Sequence, residues 1–124
     1  MGLYSDLMAS AVTTFLFMFG FESPTEHIWN ERHGTDDEFS WAIWISAESS
    51  DAALAWGRQI AEEFVRQLFE RAGVAPRSWR ADVFAHWISD DVSVLERAHA
   101  EASIPTVAAG QMPDFSWALT HWTR

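Results

Sequence analysis

The chain reads as an α+β domain spanning residues 1–124, with a mixed, mostly antiparallel four-stranded sheet and two main helices on one face. A ferredoxin-like plait is the nearest known arrangement of that kind. Three observations predict it. Between Glu38 and Gly73 a period-two apolar pattern gives way abruptly to a helical one, so a strand feeds directly into a long helix. Further strand-like runs occur at 12–21, 81–88 and 115–122, each bounded by turn residues. At 124 residues and 48% hydrophobic, the chain is long and apolar enough to bury one core without disulfides or metal staples.

Residues 1–10 are weakly helical, with Ser5 as a cap. In VTTFLFMFGF (12–21), Phe15, Phe17, Phe19 and Phe21 share one side, while Leu16, Met18 and Gly20 share the other. Both faces are apolar, as in an interior strand. Ser23-Pro24-Thr25-Glu26 then matches a capping box with proline at the first helical position, predicting a short helix over 24–33 that Gly34 ends. In the strand at 38–47, Phe39, Trp41, Ile43 and Ile45 face the core, whereas Ser40, Ala42, Trp44 and Ser46 face away.

Ser49 or Ser50 caps the long helix, and Asp51 complements its dipole. Ala53, Gly57, Ile60, Ala61, Phe64 and Leu68 recur at helical spacing and define its buried stripe. Gly57 costs about 1 kcal/mol of propensity against alanine, which a close approach to the sheet explains. On the solvated face Glu62 and Arg66 form an i,i+4 pair. Gly73 and Pro76 mark the exit. After the strand at 81–88 a second helix covers 91–102, with Val92, Leu95, Ala98 or His99, and Ala102 inward; Ile104-Pro105 ends it. DFSWALTHW supplies the last strand, 115–122. Its opening repeats the acid–Phe–Ser–Trp–Ala–aliphatic order of residues 38–43, as two strands of one sheet meeting the same packing problem would.

Composition removes several function classes. Without cysteine there is no disulfide framework, thiolate zinc site or cysteine nucleophile. Every basic side chain is arginine, so Schiff-base lysines and a P-loop lysine are absent. A net charge of −10 argues against nucleic acid and against an anionic membrane. Leu7 to Phe21 is apolar but lacks a positive n-region and is too short to span a bilayer as a helix, so a cytoplasmic protein is expected. Isolated glycines form no phosphate loop, no GxSxG elbow is present, and no HExxH or paired-histidine pattern suggests zinc. Neither cofactor nor metal is expected. His27 and Glu31, at i,i+4, are the best-placed pair in the acidic stretch, while His27 and His33 fall on different sides of their helix.

Two functional expectations remain. From Glu22 to Asp51 the chain carries eight acids against Arg32 alone, a balance of −7, and eight tryptophans is an unusual number for this length. Trp44, on the face turned away from the long helix, and Trp29, beside the acidic run, are candidate interface anchors. Asp36, Asp37 and Glu38 would steer a basic protein partner toward them. This describes a non-enzymatic interaction module, analogous in size and charge to immunity proteins and antitoxins. The Trp44 face would be covered by the 24–33 helix, by a second copy in a homodimer, or by that partner. The alternative is a small enzyme or small-molecule binder with an aromatic pocket, in which His86 acts as acid or base with Asp82 on the same strand face.

Overall fold

From Phe15 onward, strand β1 (Thr13–Phe21) has no polar side chain on either face, and such a strand has to be covered from both sides. The computed structural model, which describes residues 12–123, meets that requirement. The helix expected over 1–10, with its Ser5 cap, lies outside the described residues. β1 runs antiparallel to β2 (Phe39–Ala47) on one side and to β3 (His86–Ser89) on the other. A three-residue strand, β4 (Thr106–Ala108), joins the far edge of β2 in parallel, giving the order β3-β1-β2-β4. Four helices accompany this sheet: α1 (Pro24–His33), α2 (Ser50–Arg71), α3 (Val92–Ala100) and α4 (Ser116–Trp122). The α+β class and the mixed four-stranded sheet are as expected.

The ferredoxin-like plait is not confirmed, because its order is β-α-β-β-α-β whereas here a helix follows every strand. The two main helices do not share a face. Since β1 opposes both β2 and β3, these two strands are parallel, and α2 carries the chain between them across β1. α3 then carries it back from β3 to β4 at the opposite edge. Two crossovers of one hand that run in opposite directions along a sheet must lie on opposite faces. Accordingly α2 packs Ile60, Phe64 and Leu68 onto Phe17, Phe19, Trp41 and Ile43, while α3 packs Ala98, with Val94 and Leu95, onto Leu16, Ala42 and Trp44.

Both predicted caps form. Ser23 Oγ accepts from the Glu26 amide and Ser49 Oγ from the Ala52 amide, each at 3.1 Å, and Gly34 closes α1 at φ 65°. The cap of α3 is Asp91, whose Oδ1 accepts from the Ser93 and Val94 amides. Val92, expected inward, is exposed. Arg66 pairs with Glu63 and Glu70 rather than with Glu62, and holds the Glu63 carboxyl down at about 2. Glu62 instead accepts from the backbone amide of Arg80 at 2.9 Å, tying α2 to a 3₁₀ turn at Arg80–Asp82. That turn replaces the first half of the strand expected over 81–88.

The strand expected over 115–122 is helix α4. Phe115, Ala118, Leu119 and Trp122 recur at helical spacing and pack against α2 and β2, and Asp114 Oδ1 accepts from the Ser116 amide at 2.8 Å to start the turn. Trp117 is 48% exposed and stacks on His121. Trp79 takes the deepest indole position instead, at 2% exposure.

Gly57 sits where α2 meets β1, and a Cβ there would collide with the Phe17 ring. Gly57→Ala is therefore expected to lower stability by about 1–3 kcal/mol in urea unfolding, overriding the gain in helix propensity. A stabilised variant would contradict this close approach.

Candidate functional site

The C-terminal end of β1 gathers a dense set of polar contacts. Gly20 donates its amide to the Ala85 carbonyl at 2.9 Å and accepts from Trp79 Nε1 at 2.8 Å, so the connection from α2 to β3 is drawn over the strand end. The Glu38 carboxyl lies against Gly20, where any Cβ would strike it. Val83, in the same connection, is left-handed at φ 55°, a strained conformation for a β-branched residue.

Asn30, buried on α1, closes the excursion between β1 and β2. Its Nδ2 donates to Glu22 Oε2 at 2.8 Å and to the Asp37 carbonyl at 2.7 Å, and its Oδ1 accepts from Thr35 Oγ1 at 2.7 Å and the Asp37 amide at 3.2 Å. Two donors and two acceptor positions are all used, which is the full capacity of an amide. The effect is to hold Glu22 and the 36–38 turn together.

An open cleft of about 370 Å³ results, lined by the carboxylates of Glu22, Asp36, Glu38 and Asp82 with Val83, Phe84 and Ala85 as its apolar wall. Among the described residues Arg77 is the one cation lining it. Its Nε donates to Asp82 Oδ2 at 2.6 Å and its Nη2 lies 3.5 Å from Glu22 Oε1. Asp36 and Glu38 have no ion-pair partner among the described residues. Partial burial, then the neighbouring Glu22 and Asp36 charges, hold the Glu38 carboxyl above its ordinary value. A cation entering the cleft would relieve that repulsion.

Of the residues expected to bind a partner, Asp36 and Glu38 line the cleft and Asp37 anchors it through its backbone. Trp29 is 52% exposed on α1, stacked on His33 at 3.8 Å between ring centroids, and lies outside the cleft. Trp44 is not an exposed anchor. α3 covers it, leaving 7% exposed, and His99 stacks on it at 4.4 Å. The helix that covers it, α3, was expected on the same face as α2. Glu22, Asn30 and Arg77 were missed. Their only signal was a polar residue directly after an apolar strand, one within a short polar helix, and one just past a helix exit.

His86 and Asp82 are not brought together, because residues 81–85 are not strand and the shared face does not exist. Asp82 pairs with Arg77. His86 Nε2 accepts from Arg58 Nε at 2.9 Å, so its proton lies on Nδ1, which donates to the Phe84 carbonyl at 2.9 Å. Both ring nitrogens are occupied, and Trp79 packs edge-on against the ring. Among the described residues no three histidine or carboxylate groups are arranged to hold a metal, and no helix is long and apolar enough to cross a membrane. No family model, curated protein or solved structure matches the chain.

Asn30→Asp tests how the cleft is held. An ionised carboxylate there would face Glu22 and the Asp37 carbonyl, so a loss of about 2–4 kcal/mol at pH 7 is expected. The new carboxyl would be raised in the folded state, which then holds its proton longer than the unfolded chain does, so the loss should shrink as pH falls. An unchanged melting temperature at pH 7 would contradict the role given to Asn30.

Proposed function

We propose that this protein is a non-catalytic acidic binding module that docks on a more basic protein partner, in the manner of an inhibitor or immunity-type protein. The observation that carries the reading is the cleft at the end of β1, where, among the described residues, four carboxylates meet one arginine and two of the four have no ion-pair partner. A guanidinium or ammonium side chain of a partner fits both its charge and the apolar wall of Phe84 and Val83. The surrounding −7 segment would raise the association rate. Because the chain's own α3 covers Trp44, the contact to a partner is assigned to the cleft and not to Trp44. The want of cysteine fits a cytoplasmic setting.

Function and stability pull in opposite directions at Glu38. Its carboxyl is raised in the folded state, so folding favours the protonated form. The penalty is absent below the unfolded value and complete once pH exceeds the folded one. Glu38→Gln is therefore expected to raise the melting temperature at pH 7. Combined with Asp36→Asn, it should weaken binding of a hexa-arginine peptide by about tenfold at low salt and flatten the salt dependence. Unchanged peptide affinity in the double variant would contradict the reading.

A further inference from the structure

We infer that His27 is a proton-operated gate on this cleft and acts through Arg77, an inference that rests on reading the cleft as a site for a partner's cationic side chain. One nitrogen carries it. Nε2 of His27 lies 2.6 Å from Arg77 Nη1 and 3.1 Å from Glu31 Oε1. Arginine only donates and an ionised carboxylate only accepts, so a single ring nitrogen cannot satisfy both. Unprotonated, it accepts from Arg77. Protonated, it donates to Glu31 and sets a positive ring against a positive guanidinium. The choice between two partners is thereby tied to one proton on the imidazole.

The surroundings give that choice a direction. His27 faces Glu31 from its own helix, Glu22 at 3.5 Å from the end of β1, Arg77 from the connection to β3, and the uncharged Phe69 ring from α2. Asp82 stands behind Arg77. The guanidinium is a partition between two cavities. On one side His27 lines an apolar space of about 270 Å³ with Pro24, Ile28, Phe69 and Val74, and on the other lies the acidic cleft. Once His27 repels it, Arg77 keeps only Glu22 and Asp82, both cleft residues. Acidification thus leaves the chain's own cation to Glu22 and Asp82 and sets a charged His27 ring 3.5 Å from Glu22, which lowers the negative charge that the cleft offers a partner's cation. The cleft binds a basic partner more tightly when His27 is neutral than when His27 is charged.

The test follows the His27 ring nitrogens and Arg77 Nε by NMR of the ¹⁵N-labelled protein from pH 5 to 8. Calorimetry with hexa-arginine at constant ionic strength runs alongside. The Arg77 signal should move with the midpoint of the His27 ring. Peptide affinity should fall roughly fivefold between pH 7.5 and 5.5. His27→Gln should remove most of that fall, leaving only the part due to carboxylates such as Glu38. An Arg77 signal indifferent to the His27 titration overturns the gate, whatever the peptide does. The same pH dependence in His27→Gln also overturns it. If the peptide binds at no pH, the cleft reading fails instead, and the coupling of the two signals in the unmodified protein still decides the gate.

Discussion

Everything in this fold follows from a central strand that cannot face water on either side. β1 is apolar on both faces, and its two neighbours run antiparallel to it, so the chain must cross over it twice. Travelling out on one face with α2 and back on the other with α3 covers both sides and keeps the two crossovers of one hand. The division of labour is unequal. α2 is 22 residues long and seals the aromatic face with help from α4, while the nine residues of α3 cover Leu16, Ala42 and Trp44.

The same strand decides where the polar chemistry collects. Because β1 is covered along its length, its unpaired polar surroundings concentrate at its C-terminal end, where the Gly20 backbone, Glu22 and the returning 77–85 segment meet. Trp79 and Asn30 fasten that end from two directions, one by a buried indole donor and the other by a fully used amide. Partial burial, and then repulsion from Glu22 and Asp36, holds the Glu38 carboxyl above its ordinary value. Only the surrounding packing maintains the arrangement.

Much of the scaffold was legible in the sequence because its signals are long and locally consistent. β1, β2, α1 and α2 all lie where periodicity and capping residues put them, and Gly57 was traceable to a close approach. The failures come from places where tertiary context decides. Glu38-Phe-Ser-Trp-Ala-Ile and Asp114-Phe-Ser-Trp-Ala-Leu are nearly the same hexapeptide, yet the first enters a strand and the second a helix. The first continues into Ile45 and pairs with β1 throughout. The second has Trp122 seven residues after Phe115, which is helical spacing, and α2 to pack against. β4, at three residues, is too short to show any period. The site was half legible: Asp36 and Glu38 stand in an obvious acidic run, but nothing local shows that Glu22 and Asp82 join them. Trp44 was misassigned because the face of a helix cannot be read without the direction of its crossover.

The central claim is that the end of β1 presents a preformed cleft for a cationic side chain, and amide shift mapping tests it most directly. On titrating the ¹⁵N-labelled protein with hexa-arginine, the account predicts perturbations confined to Glu22, residues 36–38 and residues 77–85, with α3 and its sheet face silent. Perturbations centred on α3 or α4, or none at all, would contradict it.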